Sequence, residues 1–329
     1  MTIKEIAQLA GVSSAAVSRY LNGGYVSEEK KEQIKKVIEE TGYQPSAQAR
    51  ILRTKRACLV GVVVPKINSE SISRVTAGIE QVLSRRGYQM LLASTDNQPE
   101  KEITYLKLFE NYPVDGIVLI ATVITGEHKK FLKESKVPVV VVGQYTKYAN
   151  CIYHDDYGAG KAMGKVAAAA AKDKGRIAYI GVTREDKAVG TAREEGFRAG
   201  LKSQGGELEE EYTRTSQFTM ESGYEAALDL LEKKQDIAVL SCATDTIAAG
   251  AIEAILACRR KKIPREIQDS GTRMEYALKG SSIKVTGFGD NQFLKAVTGG
   301  IPTVHFGYKT SGIRAVSYTH LTLPTTSRV

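Results

Sequence analysis

Apolar positions change their spacing near residue 58. Before it they recur at helical intervals in short stretches, and after it they come in compact β-rich runs alternating with longer amphipathic segments. In the N-terminal stretch Ile3, Ile6, Ala7 and Leu9 form a stripe behind Thr2, a residue suited to capping a helix. Ala10-Gly11-Val12 reads as a tight turn, where glycine takes a positive φ without a Cβ clash. Ser13 or Ser14 caps a second helix through Leu21. Val17, Tyr20 and Leu21 face its core, and Ser14, Ala15, Ser18 and Arg19 are left for a groove. Ser27, followed by Glu28 and Glu29, opens a third helix to about Glu40, with acids complementing the dipole of its first turn. Ile34, Val37 and Ile38 are its buried face, and Gly42 ends it. Three short helices with a turn between the first two have the layout of a helix-turn-helix, which makes DNA the expected partner.

Beyond Cys58 the runs CLVGVVVP, YQMLLAST, VDGIVLIA and VPVVVVG read as buried strands separated by helices such as ISRVTAGIEQVLSRRG and KEITYLKLFEN. The alternation restarts at GAGKAMGKVAAAAAKDKG, with strands at RIAYIGV, IAVLSC and IKVTGFGD. This predicts an N-terminal all-α helix-turn-helix domain followed by an α/β domain of two doubly wound lobes, with a ligand cleft at the carboxyl ends of the strands. The expected boundaries are 1–57 for the helical domain and 58–315 for the α/β domain. Lobe one covers about 58–158 and 288–315, and lobe two about 159–287.

Charge sharpens the DNA reading. The chain carries a net charge of +9 over 329 residues, with a pI of about 9.2. Ten basic residues stand against six acidic ones through Arg56. Phosphate neutralisation by such a segment makes binding fall with salt. A hydrophobic content of 42% and charged content of 25% are those of an ordinary globular protein, and the apolar runs are too short to cross a bilayer. A cytoplasmic chain without a membrane partner is expected. Cys58, Cys151, Cys242 and Cys258 lack paired spacing, which argues for reduced thiols and against zinc. His154, Asp155 and Asp156 look like a metal cluster, but at a strand end before a helix they suit capping better. GAGKAMGK lacks the strand-to-loop spacing and the K-[ST] ending of a phosphate loop. No catalytic constellation stands out, so neither an enzyme, a cofactor nor a metal is expected.

The stretches IKEIAQLAGVSSAAVSRYLNG, YVSEEKKEQI and GYQPSAQARIL closely resemble the DNA-binding domain of the lac-repressor (LacI/GalR) family. VPKINSESISRVTAGIE, TAREEGFRAGL, CATDTIAAGA and VTGFGDNQF are similar to its effector domain, which has a periplasmic-binding-protein-like fold. The resemblance covers the chain to about Ala315. It implies DNA contacts from Thr2, Ser14, Ala15, Ser18, Arg19, Asn22 and Ser27, with Arg19 best placed to pair with guanine. It also implies a hinge helix at about 46–53 whose Leu52 enters the minor groove as an apolar wedge. In the cleft it implies Ser69 and Ser71 on one wall, Arg193 as donor, Phe218 as stacking aromatic, Asp245 as acceptor and Asp290 in the last loop. The side chains Glu70, Gln144 and Tyr145 stay unassigned. The implied partners are palindromic operator DNA, a sugar effector and a second copy of the chain. PKINSESISRV together with VTGFGDNQF resembles the sucrose-type branch of the family.

Three departures stand out. The last loop reads Gly-Phe-Gly-Asp-Asn rather than carrying an acidic pair, which puts the geometry of Asp290 in doubt. An extra stretch runs from Gln268 to Ser282. From Val316 to Val329 the chain loses helical period, and Val316–Thr325 back-translates to a transposase sequencing adapter, so 316–329 is expected to be a non-native tail. The function expected is a DNA-binding repressor controlled by a sugar-like effector. A regulator needing a purine or phosphoprotein corepressor and a sugar-binding transport protein are the rival readings.

Overall fold

The structure is a computed structural model that describes residues 1–43, 56–172, 174–260 and 282–317. The chain folds as two units, Met1–Leu59 with Pro113–Asp115, and Val60–Tyr112 with Gly116–Val329.

In the first unit α1 (Ile3–Leu9) opens with a capping box. The Thr2 hydroxyl accepts from the Glu5 N–H at 3.3 Å, and the Thr2 N–H donates to the Glu5 carboxylate at 2.8 Å. Gly11 turns the chain at φ +63°, and Ser13 caps α2 (Ser14–Leu21) by accepting from the Ala16 N–H at 3.2 Å. The third helix, α3 (Glu28–Thr41), stops at left-handed Gly42. Ile6, Ala7, Ala10, Ala16, Val17 and Ile34 form the buried core of this unit. Leu9 corrects the stripe expected of the first helix, being 61% exposed. The inner face follows the i, i+3, i+4, i+7 series of Ile3, Ile6, Ala7 and Ala10, and Leu9 lies off it.

The second unit is built on two five-stranded sheets. The first is ordered β2-β1-β3-β4-β5, from β1 (Leu59–Val64), β2 (Gln89–Ser94), β3 (Gly116–Ile120), β4 (Val139–Val142) and β5 (Asn150–Ile152). β1 pairs parallel with β3 in the register Val60↔Gly116, and β4 extends the parallel array to β5. The helices α4 (Glu70–Arg85), α5 (Pro99–Asn111) and α6 (Gly126–Glu134) connect these strands. Val60, Val62, Val64, Val118, Ile120, Val140 and Val142 are buried here, because a parallel strand covered on both faces needs near-continuous apolar sequence.

The chain then enters α7 (Asp156–Ala171) and the second sheet, ordered β10-β9-β8-β6-β7. Its strands are β6 (Arg176–Gly181), β7 (Thr213–Thr215), β8 (Ile237–Cys242), β9 (Lys284–Phe288) and β10 (Thr303–Val304), with neighbouring pairs parallel. A π-type turn (Lys187–Ala192) runs into α8 (Arg193–Lys202). The remaining helices are α9 (Met220–Lys233), α10 (Asp245–Arg260), α11 (Gln292–Thr298) and α12 (Tyr308–Ser317). Tyr179, Phe197, Leu201, Val239, Leu240 and Phe288 anchor this core.

Two boundaries differ from the sequence reading. Residues 288–304, expected in lobe one, supply the end of β9, α11 and β10 of the second sheet, since β10 continues the ladder beside β9. The chain returns to the first lobe only with α12. That helix crosses α4 so closely that a Cβ at Gly78 would collide with the Lys309 carbonyl oxygen. It also runs past the expected end at Ala315. Val316 is fully buried with Ala315, one turn beyond buried Ser311 and Gly312 on the same face. The expected hinge helix with Leu52, nearly all of the Gln268–Ser282 stretch and the tail beyond Ser317 lie outside the described residues.

Candidate functional site

The N-terminal unit carries most of its described DNA candidates on α2, with Thr2 and Ser27 on the helices beside it. Along α2, Ser14, Ala15 and Arg19 are exposed and Ser18 is half-buried, while Val17 is fully buried and holds the helix against its neighbours. Asn22 closes the helix, and its amide donates to the Ser18 carbonyl. Thr2 and Ser27 occupy the N-caps of α1 and α3; Thr2 accepts a backbone bond there and Ser27 makes no side-chain cap bond. Sequence reasoning passed over Tyr25, which stands 88% exposed after α2. A tyrosine that far from any core suits a contact surface, and its place in YVSEEKK between two helices was the available signal.

In the second unit the carboxyl ends of the strands meet across a cleft, as expected of doubly wound sheets. A cavity of about 150 Å³ lies there, lined by Lys66, Ser69 and Ser71 after β1, Gln144 after β4, His154 after β5, and Asp186, Arg193, Phe218 and Thr244 from the second lobe. It shares Asn97, Thr122, Asp186 and Phe218 with an outer groove of about 1070 Å³.

Arg193 is the most constrained group in the cleft. It starts α8 and is buried, with its Nε donating to Asp156 at 3.0 Å, Nη2 donating to the same carboxylate and Nη1 donating to the Ala243 carbonyl. Its guanidinium lies over the rings of Phe288 and Phe306, at 4.7 and 5.1 Å from their centroids. Ion pairing and stacking together fix the orientation of a planar donor, which a lysine would not reproduce. His154 packs on Phe306 at 4.8 Å and Tyr308 at 5.4 Å, and burial holds its imidazole below the usual histidine range. Asp155, rather than His154, supplies the cap of α7, accepting from the Gly158 N–H at 2.8 Å. Among the described residues no group of three His, Cys, Asp or Glu side chains is arranged to hold a metal.

Hydrogen bonds tie the lobes together across the cleft. Gln144 of the first lobe donates to buried Asp186 of the second at 2.7 Å. The same Asp186 oxygen accepts from the N–H groups of Ala188 and Val189 at 3.0 and 2.8 Å, and burial pushes this carboxyl up from its ordinary range. Lys66 donates to the Phe218 carbonyl, and burial lowers its ammonium pKa against the opposing pull of Glu221 and Asp96. At the rim Arg74 donates to the carbonyls of Gly289 and Asp290 at 3.3 and 3.0 Å, while Glu70 accepts from the Gln292 N–H at 3.2 Å.

Of the expected effector residues, all but Asp290 line two adjoining cavities that have Ser69, Ser71 and Phe218 in common. Ser69, Ser71, Arg193 and Phe218 line the main cavity, with the two serine hydroxyls 3.0 Å apart. Asp245 faces a smaller neighbouring cavity of about 70 Å³. Its carboxylate is engaged by the Asn291 N–H at 2.7 Å and the Thr303 hydroxyl at 2.8 Å, and burial raises its pKa. It braces the last loop. Asp290 lies outside all three linings and bonds His305 at 2.9 Å and Gln292 at 3.2 Å; the His305 bond holds its carboxyl below the usual range. Its backbone lies in the left-handed region at φ +52°. Sequence reasoning missed Asp186, Asp156 and Lys66 and left Gln144 unassigned. An acid just ahead of a helical turn was the one usable signal for Asp186.

Comparison with known proteins accounts for both units. Residues 2–46 match the family model described as bacterial regulatory proteins, lacI family, and residues 57–277 match that of periplasmic binding proteins and the sugar binding domain of the LacI family. The sucrose operon repressor of Staphylococcus xylosus is 35% identical over 246 residues, covering 75% of each chain. Catabolite control protein A of Priestia megaterium is 30% identical over 256 residues, covering 77% of this chain and 76% of its own. The crystal structure of the Lac repressor bound to ONPG in the repressed state superposes with a TM-score of 0.78 at 18% identity, over 96% of this chain and 91% of that one. At that identity the likeness speaks for the fold alone. Among the described residues no helix is long and apolar enough to cross a membrane.

Proposed function

The chain belongs to the LacI family of bacterial regulatory proteins, and from that premise we propose that it is a transcriptional repressor whose hold on operator DNA is set by a sugar in the interlobe cleft. The observation that carries this reading is the buried Gln144–Asp186 bond. A ligand entering the cavity has to replace or bridge a contact that already links the lobes, so it binds one lobe arrangement better than another. It shifts the equilibrium by that difference in affinity and no further. The exposed side chains of α2 supply the other end of the coupling, with Arg19 reading a base and Ser14 and Ala15 making small contacts beside it.

The operator is a palindrome read by a homodimer, because two recognition helices must enter half-sites about 34 Å apart. The protein acts in the cytoplasm as a regulator rather than a catalyst. Its relative named for the sucrose operon makes sucrose the first sugar to test. Fluorescence anisotropy of a labelled palindrome, titrated first with protein and then with sucrose, tests the whole reading. Salt-sensitive binding that sucrose or another sugar releases is expected. Binding that a purine or a phosphoprotein strengthens would replace the inducer with a corepressor.

A further inference from the structure

The charges around the cleft narrow the class of effector. We propose that it is an uncharged saccharide of more than one ring, with one ring in the inner cavity and the remainder in the outer groove. This deepens the effector reading above and rests on it. Among the described residues the outer groove is lined by the carboxylates Asp96, Glu185, Glu221 and Glu225, by buried Asp186 and by Asp229, which Arg214 and Lys233 pair; Arg214 is the one cation in that lining. Arg214 is itself committed, donating to Asp229 at 2.6 Å and to the Glu211 and Thr213 carbonyls at 3.0 and 2.8 Å. Any ligand reaching the inner cavity by this route passes a wall of one sign, and such a wall repels anions.

The inner cavity offers an anion no better reception. Its two permanent cations among the described residues are Lys66 and Arg193. Lys66 gives its ammonium to the Phe218 carbonyl and feels Glu221 and Asp96. Arg193 is neutralised by Asp156 and further occupied by the Ala243 carbonyl. A phosphate placed there would have to strip a buried guanidinium from its carboxylate, leaving Asp156 unpaired in the interior. Hydroxyl groups need no such exchange. They can accept from donors and donate to acceptors together, and the lining supplies both at Ser69, Ser71, Asn97, Gln144 and Thr244. Phe218 stands at the junction of cavity and groove, where its ring can lie against a sugar face.

The two volumes argue for length. The inner space is a fraction of the groove it opens into, and four residues are common to both linings, so the site is one continuous path from a narrow chamber to a wide mouth. A lone ring fills the chamber and leaves the groove to solvent, whereas a linked second ring buries surface against Phe218 and the polar residues of the mouth.

Isothermal titration of the full chain with glucose, fructose, sucrose, raffinose and a phosphate monoester of sucrose tests the proposal. A neutral di- or trisaccharide is expected to bind at least about tenfold more tightly than either monosaccharide and than the phosphate monoester, the scale set by one uncompensated charge. In the Glu221→Gln/Glu225→Gln variant, which alters two exposed residues of the groove wall, the affinity of the phosphate monoester relative to that of sucrose should rise; an unchanged ratio would overturn the charge argument. The monoester binding more tightly than sucrose would overturn the charge argument, and a monosaccharide matching the best neutral oligosaccharide would overturn the length argument. If no sugar binds while operator binding persists, the sugar-effector reading itself falls, and this proposal with it.

Discussion

On the function proposed above, helix α2 and the cleft solve opposite problems with their polar side chains. On α2, Ser14, Ala15 and Arg19 stand in solvent, held out by a core of six buried residues. In the cleft, Arg193, Asp186, Asp156 and Gln144 are buried and already bonded to one another or to backbone. The first surface recognises by adding contacts to groups that begin in water. The second recognises by exchange, because each ligand contact trades against one the protein already makes. Addition suits affinity for a long polyanion, and exchange suits a switch, since breaking a contact between lobes changes the lobes.

The sharpest way to break this contrast is at Arg193. Replacing it with alanine leaves Asp156 buried without its partner, a loss of about 3–5 kcal/mol. Urea unfolding of the Arg193→Ala variant should show that loss, and Arg193→Ala/Asp156→Ala should recover part of it by removing the stranded charge. A single variant as stable as the parent would mean that the pair is not the constraint described. Next comes the small core that holds α2. Ile34→Ala should cost about 2–4 kcal/mol, within the range for truncating a buried aliphatic residue. It should weaken operator binding and leave sugar binding at its parental value, as calorimetry would report. Arg19→Ala touches no core and should cost about 1–3 kcal/mol of operator affinity, with base discrimination lost at one position and the melting temperature unchanged.

The smallest expected effect comes from a buried pair away from both sites. Glu102 accepts from His128 at 2.9 Å while His128 Nδ1 faces the Thr125 hydroxyl at 2.8 Å, and neither Glu102 nor His128 is exposed. Burial raises the Glu102 carboxyl above its ordinary 4.5, with the His128 bond opposing. The folded state therefore holds this proton more tightly than the unfolded chain. The resulting stability is present in full below the ordinary carboxylate value and is lost as pH rises through the raised folded value. Glu102→Gln should flatten this dependence at pH values above the ordinary carboxylate value of 4.5, read as the change in urea midpoint with pH. A slope identical to the parent's would remove the assignment.

Much of this architecture was legible in the sequence because it rests on local signals. The caps at Thr2 and Ser13, the left-handed stops at Gly11 and Gly42 and the valine-rich strands each announce themselves within a few residues. The return of the chain through β9 and β10 before α12 was not legible, because which sheet a short strand joins is decided by partners far away in sequence. The cleft divides in the same way. Arg193, Phe218 and Asp245 line two adjoining cavities, while the carboxylates of Asp245 and Asp290 are bonded to Asn291, Thr303 and His305. Such commitments depend on Thr303 and His305, whose approach no spacing rule reveals. Asp186 escaped for the converse reason: it reads as a helix cap and is one, and only the fold brings Gln144 to its other side.

The most direct test of the account is operator anisotropy with sugar titrated into the parent protein and into the Gln144→Leu variant, which lacks the donor that joins the lobes at Asp186. The account predicts that sugar releases the parent from DNA, and that the variant still binds operator but responds to sugar at a concentration shifted by about fivefold or more. An unchanged sugar response in the variant would contradict it, since the bond between the lobes would then play no part in the switch.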